Sequence, residues 1–452
     1  MRYLFDTGKY NLVELANGIE WDHPATETVP WTCRGSLPPA QELNHLDEEE
    51  KRGAGYGNKL VDRAMKEFKP EVYIGIEDIW AFNNFHIKSW WNKVNTMVWT
   101  TLDSLPLLPQ AVEYAPKIKN YYVWSSFAEK AFKKMGYDHV KTLRGSLDVN
   151  NFFRLSDEKR GQLREAHGLS NEYLIGFVFR NQLRKSVPNL LDGLTTYICS
   201  KCSFYEVRPF SGHGQHCKKC GSQGTVNTTN TGKGVSEEQL NEVYNLMDVY
   251  CHPFTSGGQE IPIQEAKLTE LITLVTNYSC GEDTCTEESA GLPLEWSEYR
   301  EPGTQFIKAS TSPESIAEQL TKAWELGEDE KREAGRKARQ WTIDNFSVQA
   351  IGKQLEEIID AMPPVNHDYD CKDVIEFDPT YEPKTNYATH QDFLIDIYKN
   401  ILKDEVDENS QGLKHWLGQL NGGKSPPEIV NYFRQVALEH NQKINTQDLS
   451  DL

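Results

Sequence analysis

Four cysteines in the middle of the chain form the most specific chemical motif of the sequence. They are arranged as two Cys-x-x-Cys pairs with fourteen residues between the pairs: Cys199, Cys202, Cys217 and Cys220. Each pair brings two sulfurs to one turn, and four thiolates suit a tetrahedral Zn²⁺ with no open position for water. The spacing predicts a structural zinc ribbon over residues 197–224. A redox pair or free thiols are the alternatives.

A cationic segment follows an apolar strand candidate that ends at Phe179. Arg180 and Lys185 come next, with Arg184 between them. At the carboxyl end of a parallel strand, these side chains would place positive charge over the crevice in which α/β proteins bind ligands. A guanidinium binds two oxygens in a fork and an ammonium acts as a point charge, so the pair suits a diphosphate. A solvated turn is the alternative interpretation.

A second ligand motif lies at Asp248–Ala266, where a strand candidate leads into a Ser-Gly-Gly turn and then into a helix. Backbone amides of a glycine-containing turn at a helix N-terminus can bind an anion, which makes Ser256, Gly257 and Gly258 candidates for a phosphate-binding loop. Glu265 lies further along the helix, and its carboxylate can accept two hydrogen bonds from the hydroxyls of a ribose. The alternative is a helix with a surface glutamate.

The composition limits the class of protein. The chain has 452 residues, with 48 Lys and Arg against 67 Asp and Glu, which gives a formal charge of −19. Proteins that mainly grip a phosphate backbone usually carry a basic surface, so this charge disfavours nucleic acid as a partner without excluding it. No apolar run approaches the ~20 residues of a membrane helix. The first residues lack the pattern of a signal peptide, so we expect a cytoplasmic protein with no membrane partner.

An α/β framework has to position these motifs, because short apolar runs alternate with amphipathic stretches. The strand candidates are Tyr10–Ala16, Val72–Ile76, Thr96–Thr100, Tyr121–Trp124, Glu172–Phe179, Val249–His252, Ile272–Asn277 and Thr304–Ala309. The helix candidates are Gly57–Phe68, Phe127–Met135, Glu237–Met247, Ile263–Glu270, Pro313–Leu326, Glu328–Asn345 and Val348–Ala361. The alternation predicts two tandem α/β units of parallel sheet, linked by Leu147–Ser170.

The same pattern suggests domain boundaries. Residues 1–150 form a first Rossmann-like domain and residues 151–363 a second one, which contains the ribbon. Residues 364–390 are polar and contain Pro and Asp, which predicts a linker. The stretch 391–445 predicts a small helical module with helices at Asp392–Leu402, Gly412–Gln419 and Pro426–Ala437. This module resembles a helical domain of unknown function that recurs in surface-layer, secreted and phage proteins.

The order of the motifs resembles that of a known family. The resemblance is carried by Ser125-Ser126-Phe127 at a helix start, Gly145–Asp148, Phe152, Arg180, Lys185, Tyr244–Asp248 and Pro253–Ala266. Over about Tyr10–Pro363, the chain resembles the retaining, GT-B-fold glycosyltransferases of the glycogen-synthase-like superfamily, which use nucleotide-sugar donors. The resemblance implies two Rossmann-like domains, with the acceptor side in the first domain and the donor side in the second.

The resemblance also implies roles for residues of the second domain. Arg180 and Lys185 match the family's diphosphate-binding pair, whose expected catalytic contribution is to stabilise the departing diphosphate. Glu265 matches the ribose-binding glutamate. The final helix, Val348–Ala361, is expected to cross back onto the first domain. Further donor contacts are implied for Ser256, Gly257, Gly258, Asn277 and Ser279.

The chain departs from the family pattern in three places. The family usually has a glutamate where Gly257 stands and often a glycine where Glu260 stands, so Glu260 is a further candidate for contacts with the sugar. The family's first strand and its glycine-containing loop are missing, because Met1 falls within the expected first helix. The cysteine group occupies a region in which other members have a plain strand–helix unit.

The first domain offers two carboxylates for the acceptor. Asp78 and Asp103 each follow a strand candidate and can orient an acceptor hydroxyl. Retaining transfer on one face of the sugar needs no strong protein base when the leaving diphosphate takes the proton. Asp78 and Asp103 are therefore candidate catalytic residues beside Arg180 and Lys185.

The combination of ribbon and helical tail is most similar to glycosyltransferases carried by tailed phages and by virus-derived sequences. Many of these enzymes decorate modified DNA bases, which makes 5-hydroxymethylcytosine in DNA the leading acceptor hypothesis. Transfer to a glycan or to a protein is the alternative within this class. A non-catalytic protein that binds sugar or nucleic acid is the alternative outside it.

Overall fold

The computed structural model describes residues 1–39, 43, 46–179, 183–185, 194–198, 205–209, 235–367, 378–404, 406 and 410–447. The chain divides into two compact units. The first unit comprises Met1–Val61 and Phe68–Tyr369, and the second comprises Asp62–Glu67 and Asp370–Leu452. Apart from residues 62–67, both expected α/β halves therefore belong to the first unit.

The first half of this unit is built on parallel strands. The strands are β1 (Val13–Glu20), β2 (Thr32–Leu37), β3 (Val72–Ile76), β4 (Asn95–Thr100), β5 (Asn120–Val123) and β6 (Lys141–Thr142). Strands β1 and β2 pair with each other, and β3 to β6 form one parallel sheet in that order. Met97 and Val98 are fully buried on opposite faces of β4. A parallel sheet covered on both faces has uninterrupted apolar strands, which is why the sequence identifies them.

The second half contains a second parallel sheet. Its strands and the neighbouring hairpins are β7 (Ile175–Gly176), β8 (Leu194–Ile198), β9 (Tyr205–Pro209), β10 (Val249–His252), β11 (Ile272–Thr276), β12 (Gly291–Leu294), β13 (Trp296–Arg300) and β14 (Ile307–Thr311). The spatial order of the parallel sheet is β12-β11-β10-β7, whereas β8 pairs with β9 and β13 with β14 in antiparallel fashion. The expectation of an α/β protein with two parallel sheets is confirmed.

Helices alternate with these strands along the chain. Those up to residue 360 are α1 (Arg2–Asp6), α2 (Glu48–Gly55), α3 (Val61–Phe68), α4 (Pro109–Tyr114), α5 (Ser126–Lys134), α6 (Asp157–Ala166), α7 (Glu237–Leu246), α8 (Ile261–Leu268), α9 (Gly281–Thr284), α10 (Pro313–Glu325), α11 (Glu328–Phe346) and α12 (Val348–Asp360). Helices α6, α7, α10 and α12 each begin after a serine whose hydroxyl accepts a backbone N–H of the first turn. Such caps fix where a helix starts.

Helix α12 returns from the second half to the first. Its residues Ile351 and Leu355 share one buried cluster with Leu4, Met97 and Trp99. The predicted crossing of the last helix onto the first half is therefore confirmed, and its physical basis is burial of the apolar face of α12 against β4 and α1.

Two polar contacts join the halves at the predicted motifs. Asp283 of α9 accepts the backbone N–H of Ser126 at 2.9 Å, so a carboxylate of the second half caps α5 of the first half. A carboxylate at this end also complements the dipole of the helix. Gln259 accepts from the Gly145 N–H at 2.8 Å and donates to the Gly145 carbonyl at 3.0 Å. The two halves thus meet along loops at the carboxyl ends of their strands.

Some elements differ from the sequence-based expectation. The stretch Leu147–Ser170, expected to be only a link, contains the ten-residue helix α6. The expected strand Glu172–Phe179 is reduced to β7. The expected strand Thr304–Ala309 begins three residues later and ends two residues later, as β14. Strand β2 and helix α2 were not expected.

The described part of the second unit after residue 377 contains three helices. Its helices are α13 (His390–Ile401), α14 (Gln411–Asn421) and α15 (Pro426–Gln447). Their buried core includes Phe393, Leu394, Ile397, Leu413, Ile429 and Phe433. Residues 368–377 of the predicted linker lie outside the described residues. Within the part of the chain that the structure describes, no helix combines the length and the apolar character needed to cross a bilayer.

Candidate functional site

The loop between β10 and α8 carries most of the predicted donor residues. Strand β10 is fully buried and ends at His252, and α8 begins after Glu260, with Pro262 in its first turn. Proline is suited to this position because the first turn of a helix leaves its N–H groups unpaired. The loop leaves the carboxyl end of an interior strand, which is the edge at which open α/β sheets bind ligands.

A ring of polar side chains ties this loop to the first half. Lys308 of β14 is buried and donates to the Ser104 hydroxyl at 2.6 Å and to the Ser256 hydroxyl at 2.7 Å. The two hydroxyls donate in turn to Asp103, Ser104 to Oδ1 at 2.8 Å and Ser256 to Oδ2 at 3.0 Å. The Lys308 ammonium lies 3.8 Å from the same carboxylate. Asp103, which was predicted to orient an acceptor, therefore takes part in the polar contact between the two halves.

The two glycines of the loop allow close approach of neighbouring groups. A Cβ at Gly257 would lie 2.4 Å from Oε1 of Glu260, and a Cβ at Gly258 would lie 2.4 Å from Cβ of Thr101. Neither distance is possible for a real side chain, because both are well inside van der Waals contact. Glycine at 257 makes room for the Glu260 carboxylate, and glycine at 258 lets the loop touch the end of β4.

Glu260 is the centre of a charged cluster in which Lys185 and His252 are buried and Arg184 is exposed. Its Oε2 accepts from the ammonium of Lys185 and lies 3.1 Å from His252 Nε2, and its Oε1 accepts from Arg184 at 2.9 Å. Burial acts to raise the pKa of Glu260, but the bond from His252 and the charge of Lys185 outweigh it and lower the pKa to about 2. Burial lowers the pKa of Lys185, and Glu260 opposes that effect. Glu260 is ionised at any working pH.

His252 contacts Glu260, and Tyr250 in turn contacts His252. Both are fully buried, and the Tyr250 hydroxyl lies 2.9 Å from His252 Nδ1. The backbone N–H of Val178 donates to the same hydroxyl at 3.3 Å. Burial lowers the pKa of His252. The Tyr250 hydroxyl also lies 3.1 Å from the Val178 carbonyl, so its single proton is shared between that carbonyl and His252 Nδ1. His252 Nε2 lies within hydrogen-bond distance of Glu260.

Glu265 lies on α8, one turn beyond the charged cluster. The Tyr244 hydroxyl donates to its Oε2 at 2.6 Å. Burial raises the pKa of Glu265, and the bond from Tyr244 opposes that rise. The Glu265 side chain is partly buried. This arrangement suits a group that accepts hydrogen bonds from neutral hydroxyls.

Asn277 and Ser279 follow β11, the neighbouring strand. Ser279 is buried, and its hydroxyl lies 2.7 Å from the Gly257 carbonyl and 2.8 Å from the Asp103 carbonyl. The Asn277 side chain accepts from the thiol of Cys285 at 3.4 Å, and its backbone carbonyl accepts from the Trp296 indole at 2.7 Å. Ser279 thus contacts both the β10–α8 loop and the end of β4 in the first half, whereas the Asn277 side chain is exposed.

Asp78 is connected to the loop indirectly. It is exposed at the end of β3, and its Oδ1 accepts from the Thr101 hydroxyl at 2.9 Å. Thr101 is the residue against which Gly258 packs. The neighbouring Glu77 accepts from Asn17 at 2.5 Å. The first half therefore presents carboxylates at this edge.

Five predicted site residues lie outside the described residues: Arg180, Cys199, Cys202, Cys217 and Cys220. The strands on either side of the first cysteine pair, β8 and β9, pair in antiparallel fashion. Among the described residues, no cluster of His, Cys, Asp and Glu has an arrangement that could hold a metal ion. The four described cysteines, Cys33, Cys251, Cys280 and Cys285, are buried thiols.

Sequence reasoning missed three residues of the site. His252 and Tyr250 lie in a strand that was assigned correctly, and a histidine at the carboxyl end of a buried strand is a signal that could have been used. Lys308 has no such signal, because it lies in a hairpin 204 residues from its partner Ser104. Only the folded structure brings these two residues together.

Comparisons with known proteins place the chain by its fold. No protein-family model matches the sequence, and no curated protein matches it. Among solved structures, it is similar to sucrose-phosphate synthase from Thermosynechococcus elongatus, with 13% identity over 79% of this chain and 90% of that one and a TM-score of 0.54. It is also similar to a glycosyltransferase from Rickettsia africae, with 15% identity over 74% of this chain and 86% of that one and a TM-score of 0.51. These structural neighbours are GT-B glycosyltransferases, and the likeness shows the fold.

Proposed function

We propose that the protein is a glycosyltransferase that moves a sugar from a nucleotide diphosphate sugar to a hydroxyl acceptor with retention of configuration. The observation that carries the proposal is the position of Lys185 and Arg184. They lie against the Ser-Gly-Gly loop at the carboxyl end of β10, in a fold shared with glycosyltransferases. Positive charge at this edge is suited to a diphosphate leaving group.

The donor would be held by three kinds of contact. Lys185 and Arg180 would bind the diphosphate, with the backbone amides of the Gly257–Gly258 turn beside them. Glu265, oriented by Tyr244, would accept hydrogen bonds from the ribose hydroxyls. Ser256, Ser279 and Asn277 line the neighbouring part of the loop and would position the sugar or the nucleotide.

In the proposed reaction, cations that stabilise the leaving diphosphate would contribute more than a protein base that removes the acceptor proton. As the bond between the sugar and the diphosphate breaks, negative charge grows on the departing phosphate oxygen, and Lys185 and Arg180 would stabilise it. The same oxygen can take the proton of the attacking hydroxyl on that face of the sugar. Asp103 is engaged by Ser104, Ser256 and Lys308, so its contribution would be to position the loop. Asp78 is the more accessible carboxylate for an acceptor.

The proposed acceptor is linked to the proposed zinc ribbon, because the similarity to phage glycosyltransferases rests partly on that ribbon. We propose that Cys199, Cys202, Cys217 and Cys220 hold one structural zinc, because four thiolates at this spacing match its tetrahedral geometry. DNA with 5-hydroxymethylcytosine is the proposed acceptor, supported by the phage-like combination of ribbon and helical tail. Glycan or protein acceptors are the alternative, which the carboxylates at the edge of the first half favour because they would repel a phosphate backbone.

A donor panel tests the proposal directly. The protein is incubated with a set of nucleotide diphosphate sugars, and release of the nucleoside diphosphate is measured with and without an acceptor. We expect turnover with at least one donor and a loss of about a hundredfold or more in Lys185→Met. Glu318→Gln, a substitution at an exposed position of α10, is the control and should keep the wild-type rate. Absence of turnover with every donor and acceptor class would favour the non-catalytic alternative.

The acceptor is identified in the same experiment by mass spectrometry. Nucleosides from hydroxymethylcytosine-containing DNA are examined for the added mass of one sugar, and mixed glycans and a protein extract are examined in parallel. A heavier nucleoside supports the DNA hypothesis. Nucleotide release with an unmodified nucleoside and a heavier glycan refutes the DNA acceptor and leaves the transferase intact.

A further inference from the structure

Glu260 places a negative charge among the cations that the donor diphosphate would use. Its carboxylate is buried and contacts Lys185 through Oε2 and Arg184 through Oε1. The distance from Oε1 to the position of a Cβ on Gly257 is 2.4 Å, so the carboxylate fills the inner side of the Ser-Gly-Gly turn. An anion of the chain itself therefore lies directly against the Ser-Gly-Gly turn.

The position of Glu260 is fixed by the surrounding fold. His252 holds Oε2 at 3.1 Å, and Tyr250 holds His252 at 2.9 Å. Both rings are fully buried. Glu260 is also the residue at which α8 begins, so its backbone is held by the first turn of that helix. A carboxylate held by these contacts has a fixed position in the fold, unlike a flexible side chain at the surface.

The electrostatic consequence is that Glu260 offsets one of the two positive charges of Lys185 and Arg184. Burial lowers the pKa of His252, and Glu260 opposes that effect. A phosphate that approaches Lys185 meets the repulsion of Glu260 as well as the attraction of the ammonium. In a buried site this repulsion is weakly screened by water, so a single charge has a large effect on affinity.

We propose that Glu260 is an internal counter-anion that competes with the donor diphosphate for Lys185 and Arg184, a role that rests on the proposed function. It keeps the cations paired and ordered in the empty site, and it limits how tightly the product diphosphate is held. Affinity for a donor then depends on contacts with the sugar and the nucleoside in addition to the phosphates. The residue sets the balance between donor binding and product release.

Calorimetric titration of the full chain with three probes tests this role. The probes are inorganic pyrophosphate, UDP and UMP, and the variants are Glu260→Gln and Glu260→Asp. Glu260→Gln removes the charge and keeps the shape, so we expect it to bind pyrophosphate and UDP at least about tenfold more tightly, which corresponds to about 1.4 kcal/mol. UMP should gain less because it offers one phosphate. Glu260→Asp keeps the charge and should show no gain.

The cation that Glu260 pairs with provides a second readout. In the Lys185→Met background, the gain from Glu260→Gln should shrink, since the competition takes place at Lys185. Circular dichroism of each variant shows whether it folds. Equal or weaker binding of pyrophosphate and UDP by folded Glu260→Gln would overturn the role, and so would an equal gain in Glu260→Asp, because the effect would then be steric.

The donor panel separates failure of this role from failure of the proposed function. Turnover with a nucleotide sugar combined with unchanged affinities in Glu260→Gln refutes the counter-anion and leaves the transferase. No binding of any probe and no turnover, in the wild type and in all variants, refutes both.

Discussion

Lys267 provides a quantitative test of how helix α8, which carries Glu265, is anchored in the fold. Its side chain has no exposed surface, and its ammonium donates to the Ser289 carbonyl at 2.6 Å. Burial lowers the pKa of Lys267 from 10.5 to about 7. A lysine with its charge removed from water destabilises the folded state wherever it is protonated. Replacement with methionine keeps the length and the apolar stem and removes this cost.

The sign and size follow from proton linkage. Between the folded pKa of about 7 and the unfolded value of 10.5, the unfolded chain keeps a proton that the folded chain has lost. The unfolded state binds more protons in this window, so the free energy of unfolding rises with pH, by up to about 1.4 kcal/mol per pH unit for one group. Below the folded pKa this contribution is flat. In Lys267→Met the rise contributed by this group disappears.

Urea unfolding at pH 6, 7, 8 and 9 measures the difference. Trp341 is a local fluorescence reporter, because its ring centre lies 5.6 Å from the Lys267 ammonium. We expect Lys267→Met to be more stable than the wild type at pH 6, by roughly 2–4 kcal/mol, and this difference in the free energy of unfolding to narrow by about 3 kcal/mol towards pH 9. Lys322→Met, on an exposed position of α10, is the matched control and should follow the wild type. Parallel curves for Lys267→Met and the wild type would refute the reasoning.

Three further changes test the site. Lys308→Met removes two hydrogen bonds from a buried charged donor and should lower the stability of the first unit by about 2–4 kcal/mol in urea unfolding; an unchanged midpoint would mean that the polar ring contributes nothing. Glu265→Gln should weaken UDP by about tenfold without changing inorganic pyrophosphate, since a ribose contact is lost and phosphate contacts are kept; equal effects on both probes would contradict the ribose role. Native mass spectrometry should find one zinc per chain and a loss of that zinc in Cys199→Ser, whereas a purified wild type without zinc would contradict the ribbon.

The sheets could be predicted from the sequence because their signal is local. Strands β3 and β10 were assigned to the residue, since each is a short apolar run between polar stretches. Helix α6 was missed for a physical reason. It is almost entirely polar, and it is anchored by Arg160 and Arg164, which bond to the two oxygens of Asp248 at 2.7 and 3.1 Å. Hydrophobic periodicity cannot report a helix that is held by buried charge.

The candidate site could be predicted in part. The Ser-Gly-Gly loop, Lys185 and Glu260 were identified from motif order, and the structure brings all three together. The role of Asp103 could not be foreseen, because it depends on Lys308 of a distant hairpin and on contact between the halves. Site residues that follow a single strand can be predicted together from the sequence. Contacts between residues of the two halves, such as Asp103 and Lys308, depend on tertiary packing and have no local sequence signal.

The charges of the site lead to a final prediction about Arg180. Glu260 offsets one of the two charges of Lys185 and Arg184, and Lys308 lies beside Asp103, so these described residues together carry one more positive charge than negative charges. A diphosphate carries a negative charge on each phosphate, so a second cation is needed to balance it. If Arg180 supplies that charge, Arg180→Ala weakens UDP by about tenfold or more. Releasing Lys185 from its partner would provide a replacement, so we expect Glu260→Gln to restore UDP affinity in the Arg180→Ala background. Calorimetry on the single and double variants measures this, and a double variant as weak as Arg180→Ala alone would show that Lys185 cannot act on the diphosphate from its position.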